Sequence, residues 1–394
     1  MRSHVAAAHH VALQRHHQRQ HATHAVRRPV KRFLGLPLGV AIALVWANTL
    51  PEPYFRLAQT LAFGVNEIGM ALFVGLLMQE IVEATMAGGA LHSWRRWTLP
   101  LIAAAGGIAG SAGMYLAYIY GRYEAILSTG WPIGCAIDVA AAYYVLKAIM
   151  PRSGILPFVL LLGIATDLFG MLIVAVWRPA AAAPGGGAAL LLVALGLAGA
   201  MRTLKVRAFW PYLSICGPLS WLAFFRDGLH PAFALVPIVP FLPHEPRKLD
   251  LLADPPDDDA VHHFEHEWNT LVQVVLFLFG LVNGGVILKG YDTGTWALML
   301  AALVGRPAGI LAAIGLAVAA GWHLPRRIGW RQLVVAAYAA STGLTFALFF
   351  ASGILYTGPM LAQLTIGALA TAVGPLLAIG IARLAGVGRF SRAS

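Results

Sequence analysis

The chain has 394 residues, of which 59% are hydrophobic and 11% charged. That leaves too little charge to cover the surface of a soluble domain and points to a polytopic membrane protein. A formal net charge of +11 does not point to nucleic acid, because the positions of the basic residues matter more than their sum.

Residues 1–33 are basic and His-rich without a core-forming pattern. They read as a disordered cytoplasmic tail, with a metal-binding His tract as the lesser alternative. No small-x-small cleavage site follows the first apolar run, so a cleaved signal peptide is not expected. Apolar runs of spanning length then predict an all-α membrane domain over 34–385 with about twelve transmembrane helices. The runs fall at 34–50, 66–84, 98–120, 130–149, 154–177, 187–204, 208–224, 229–243, 268–288, 296–320, 332–351 and 358–382. Residues 244–267 form a cytoplasmic loop within the domain, either a pH-responsive element, since its His residues sit among acids, or a solvated linker. "HEPRK" and "HEWNT" lack the second His of a zinc-protease motif. Residues 386–394 are a short basic tail.

With the N-terminus inside, the predicted outer connections hold only Arg56, Arg122, Arg178, Arg226 and Lys289, and Arg306 lies within a span. The remaining Lys and Arg fall on the inner side, so both termini are expected to be cytoplasmic. Cys135 and Cys216 lie in apolar stretches and read as small core residues without a disulfide.

Two spans are interrupted at corresponding places of the two halves. Gly130, Pro132 and Gly134 precede Asp138 in "STGWPIGCAIDVAAAY", and Ser341, Thr342 and Gly343 precede Thr345 in "AASTGLTFALFFASG". Paired breaks of this kind predict inverted repeats in which two discontinuous helices cross near the bilayer midplane.

Three charges sit deep in predicted spans: Asp138, Asp167 and Arg306. Ionisable groups in hydrocarbon are costly and usually mark an ion or proton path. The bland alternative has Asp138 and Arg306 offsetting helix-end dipoles while Asp167 forms a structural bridge to Arg306. Gly163 and Gly170 share the helical face of Asp167, opening room for a neighbouring helix or a cation, and Thr166 adds a neutral oxygen. Oxygen donors of this kind suit Na+ or Li+ at Asp167. Glu80 and Glu83 could gather cations at the cytoplasmic mouth or simply end a solvated helix, and Asn283 is either a ligand or an interhelical hydrogen bond.

In this order, "NEIGMALFVGLLMQE", "PLIAAAGG", "GWPIGCAIDVAAA", "ATDLFG", "VNGGV", "GRPAGI" and "GLTFALFFAS" resemble the NhaA-type bacterial sodium/proton antiporters from about residue 35 onward. The resemblance implies a secondary transporter of the inner membrane, not an enzyme, that exchanges Na+ or Li+ for H+ in pH homeostasis. It also implies a homodimer in lipid, with no cofactor and no nucleic acid. By position, Asp167 matches the second Asp of the family's paired aspartates, and Thr166 stands in place of the first. Asp138 matches the Asp at the helix crossing, preceded by Ile137 instead of Thr. Arg306 stands where the family has Lys, and Glu80 and Glu265 match acids of the funnel and the pH response. Val82 and Glu83 replace the family's basic residues after the funnel acid. With one titrating carboxylate and an Arg that stays protonated, the site predicts 1:1, electroneutral exchange. A sodium-coupled organic anion carrier of related fold and a non-transporting membrane sensor are the competing readings.

Overall fold

The computed structural model describes residues 35–85, 94–151, 153–177, 186–242, 260–289, 291–324, 328–351 and 358–391, and its regular elements are helical. Among the described residues, five helices are long and apolar enough to cross a membrane. Two further spans are bent pairs, Ala125–Cys135 with Val139–Ile149 at 51° and Trp330–Ala339 with Leu344–Phe350 at 45°. Both bends fall at the breaks expected from Gly134 and from Ser341–Gly343.

In chain order the α-helices are α1 (Gly35–Thr49), α2 (Pro51–Phe63), α3 (Met70–Thr85), α4 (Trp94–Gly121), α5 (Val139–Ile149), α6 (Ile155–Trp177), α7 (Gly187–Thr203) and α8 (Gly217–Arg226). They continue with α9 (Ala260–Asn283), α10 (Thr293–Leu300), α11 (Arg306–Ala319), α12 (Trp330–Ala339), α13 (Leu344–Phe350), α14 (Pro359–Ala370) and α15 (Gly374–Leu384). Single π-helical segments join α2 to α3 at Gly64–Gly69, lead into α8 at Tyr212–Cys216, and join α10 to α11 at Ala301–Gly305. The last of these ends immediately before Arg306. π segments inside α-helices concentrate at functional positions.

The structure departs from the sequence expectation in two places. Residues 51–63, expected as a connection, form α2 and run on into α3, so that Pro51–Val82 is one helical run of 32 residues. The expected eighth span, 229–243, is not an α-helix. Pro231, Pro237 and Pro240 remove donors there and break any α-helical register. The segment is instead two short 3-10 turns, Pro231–Phe233 and Val239–Phe241, buried against its neighbours. Its polar groups are satisfied by local bonds such as Ala234 N to Pro231 O at 2.9 Å and Leu242 N to Val239 O at 3.0 Å. Ser220 Oγ also donates to Ala234 O at 2.7 Å. Irregular backbone at membrane depth is tolerated only where protein covers it in this way.

The helices sort into two groups. Helices α1, α2, α3, α7, α8 and α9 pack with one another, while α4, α5, α6 and α10 through α15 form the other group. The groups meet chiefly where α3 touches α6 and α9 touches α13. In the second group α4 and α11 approach along glycines: a Cβ on Gly110 would lie 2.7 Å from the Gly309 Cα, and one on Gly305 would lie 2.6 Å from the Gly110 carbonyl oxygen. This seam carries Arg306, at the start of α11, into the middle of the protein. Cys135 and Cys216 are buried and free, as expected of core residues.

Candidate ion site at the crossing of two broken helices

The first broken span begins as a 3-10 segment, Ala125–Cys135, with Pro132 inside it, then runs extended through Ala136 and Asp138 into α5. The second runs from α12 through Ala340–Gly343 into α13. The two non-helical stretches touch: Asp138 N donates to Thr342 O at 2.6 Å. A Cβ on Gly343 would lie 2.7 Å from the Ala136 carbonyl carbon, so only glycine permits this crossing without displacement. Thr371 braces the stretch, its hydroxyl accepting from Gly343 N at 3.3 Å.

The crossing gathers four helix ends, and the two charges there divide them by sign. Asp138 precedes α5, yet its side chain serves the other broken span, accepting at Oδ2 from Leu344 N at 2.9 Å and Thr345 N at 3.3 Å. Its Oδ1 accepts from Thr345 Oγ1 at 2.7 Å. A carboxylate is thereby set on the positive N-terminus of α13. Arg306 takes the opposite ends. It is 1% exposed, its Nη1 donates to Ala340 O at 3.1 Å, and its Nη2 donates to Gly134 O. Those carbonyls close α12 and the 3-10 segment, where negative partial charge collects.

Asp167 lies on α6 and is 6% exposed. No hydrogen bond or ion pair joins it to any described residue, and Arg306 is committed to the two carbonyls. The carboxylates whose charge bears on it are Glu80 and Asp138. Gly163, one turn earlier, explains the nearness of Asp138: a Cβ there would lie 2.6 Å from Val139 Cγ1, so glycine lets the start of α5 press onto α6. Gly170, one turn later, faces Phe350, whose Cζ would be 3.5 Å from an added Cβ. The room at Gly163 is therefore filled by a helix. Thr166 is 3% exposed and its hydroxyl donates to Leu162 O at 2.8 Å within α6, which leaves its oxygen lone pairs as the acceptor it can offer.

Glu80 is exposed near the end of α3 and is the expected mouth residue that the structure brings within electrostatic range of Asp167. Glu83 and Glu265 fall in helical stretches, and their side chains lie outside the described residues. Asn283 proves to be an interhelical bridge, pairing reciprocally with Asn66 through bonds of 2.7 and 3.2 Å.

Three contributors escaped sequence reasoning. Ser111 donates to Gly134 O at 2.6 Å. Thr371 holds the second break. His230 Nδ1 lies 3.4 Å from Glu67 Oε2, with the His230 side chain 2% exposed and its ring 5.0 Å from that of Phe349 on α13. Only the His and Glu carry a sequence signal, as ionisable groups at the start of the expected spans 229–243 and 66–84; Ser111 and Thr371 are indistinguishable from packing residues.

The family model described as Na+/H+ antiporter 1 matches residues 33–388. A Na(+)/H(+) antiporter NhaA of Geobacter metallireducens is 38% identical over 350 residues, covering 85% of this chain and 91% of the relative. That of Desulfitobacterium hafniense is 37% identical over 367 residues, covering 89% and 94%. A more distant one from a Jannaschia species is 31% identical over 382 residues, covering 84% and 90%. The broken helices, the charges at their crossing and this likeness across almost the whole length agree: the chain belongs to the Na+/H+ antiporter 1 family of multi-pass membrane transporters.

Proposed function

We propose that the protein exchanges Na+ or Li+ for H+ by alternating access, with Asp167 as the group that carries either the cation or the proton. The observation that carries this reading is the difference in occupation among the three central charges. Asp138 and both terminal amino groups of Arg306 are bonded at helix ends, with only the Arg306 Nε buried without a partner, whereas the Asp167 carboxylate has no partner among the described residues. A buried carboxylate without a partner gains most from a counter-charge that arrives and leaves. The names of the relatives, Na(+)/H(+) antiporters, support Na+ and H+ as the exchanged ions.

Charge counting then sets the stoichiometry. Thr166 cannot titrate, and Arg306 stays charged through the cycle. One carboxylate trading one cation for one proton gives 1:1, electroneutral exchange. Thr166 Oγ1 and the backbone oxygens of the crossing are the neutral ligands within the neighbourhood, Glu80 draws cations toward the inner mouth, and Glu83 and Glu265 are assigned to the funnel and the pH response from their sequence positions. The protein is placed in a bacterial inner membrane as a homodimer, with both termini cytoplasmic. Carriage of an organic anion, the second reading, would draw on the donors of Arg306 that are not bonded to Ala340 and Gly134, its buried Nε among them.

The test is purified protein in liposomes with a trapped pH dye, challenged in turn with Na+, Li+ and K+. Cation-driven proton movement in the wild type and none in Asp167→Asn is expected. Exchange at a near-normal rate by folded Asp167→Asn would remove the site assignment.

A further inference from the structure

The carbonyl of Gly134 is an unusual acceptor. It closes the 3-10 half of the first broken span, it is buried, and two donors from different helices converge on it: Arg306 Nη2 from α11 and Ser111 Oγ from α4, the latter at 2.6 Å. Ser111 is 0% exposed. The convergence follows from the glycine seam between α4 and α11. Gly107 on α4 lies so close that a Cβ there would be 3.5 Å from Arg306 Cγ, and Ser111 stands one turn further along the same helix. The register that delivers Arg306 to Gly134 therefore delivers Ser111 as well.

A carbonyl oxygen has two acceptor lone pairs, and a guanidinium has a fixed fork of donors. With the Ser111 hydroxyl on one lone pair, a single amino group of Arg306 completes Gly134, and the other reaches Ala340 at 3.1 Å. Without the hydroxyl, a buried acceptor is left short of a donor and draws the guanidinium toward itself, away from the second broken span. We propose that Ser111 is a positioning residue of the transport site: it fixes where the Arg306 charge rests between the two broken spans, and so sets the field felt by a cation at Asp167. This rests on the reading of Asp167 as the carrier.

A double-mutant cycle with two readouts tests it, using full-length wild type, Ser111→Ala, Ser111→Cys, Arg306→Lys and Ser111→Ala/Arg306→Lys. In liposomes, Ser111→Ala should change the half-saturating Na+ concentration by about threefold or more, a size set by a charged hydrogen-bond network. Ser111→Cys should behave like Ser111→Ala, because a thiol, though somewhat larger than the hydroxyl, is a feeble donor. The Lys ammonium cannot span both carbonyls, so in the Arg306→Lys background the Ser111→Ala effect should shrink, both on half-saturation and on the thermal unfolding midpoint in detergent. Additive effects, or a Ser111→Cys protein that matches wild type, would reduce Ser111 to a packing residue. Coupled unfolding midpoints with an unchanged Na+ half-saturation would equally overturn the proposal. If the wild type itself moves no protons, the transport reading falls with this proposal's transport half, and the geometric half stands or falls on the unfolding cycle alone.

Discussion

Asp138 and Asp167 are carboxylates of adjoining helices in the middle of one protein, and their surroundings are opposite. Around Asp138 the backbone comes to the side chain: three donors from the start of α13 consume both oxygens. Around Asp167 the packing is apolar, with Val139 pressed against Gly163 and Phe350 facing Gly170, and no donor among the described residues reaches the carboxylate. A carboxylate held by fixed donors is part of the scaffold. One held by nothing is, in the function proposed above, the place where the exchanged ions bind.

Asp167→Asn gives the sharpest test of that contrast, since the amide keeps the shape and removes the exchangeable charge; cation-driven proton movement should fall to the level of empty liposomes. Arg306→Met comes next. It leaves the carbonyls of Gly134 and Ala340 short of donors, and about 3 kcal/mol of stability should be lost, read as a lowered denaturation midpoint. Asp138→Asn presents an amide nitrogen where donors point, so it should slow exchange only in part while lowering stability by about 1–2 kcal/mol. A dead Asp138→Asn beside a mild Asp167→Asn would exchange the two roles. Smaller still is the expected response to membrane potential. With both gradients fixed and a potassium diffusion potential imposed by valinomycin, the wild-type rate should not change on reversing the potential, and a several-fold change would require a second group to carry a proton. Deleting residues 1–30 should leave exchange rates as they were, because the tail precedes the membrane domain.

Much of the crossing was legible in the sequence because glycine and proline announce where a helix must stop. Gly134 and Gly343 marked both breaks, and isolated charges in apolar runs marked Asp138, Asp167 and Arg306. What the charges do was not legible. Nothing near Asp138 in the chain shows that it caps the other broken span, since that partnership spans two hundred residues and depends on the crossing itself. Ser111 sits in "GGIAGSAGM", where a serine looks like one more small packing residue. Hydropathy also failed at 229–243, because it measures the cost of leaving water and is indifferent to whether four prolines let the backbone bond to itself.

That proline-broken segment bears on how the protein is made. A stretch that cannot satisfy its own amides as an α-helix has no stable form in lipid by itself. Residues 229–242 are sheltered chiefly by α3, α7 and α8, all of which precede them in the chain, and Phe349 of the later α13 closes on His230 and Phe233 afterwards. The ribosome delivers those three first, so the N-terminal half acts as the mould into which its own last segment is pressed. Replacing the prolines would free the segment from that dependence and relax the order of assembly.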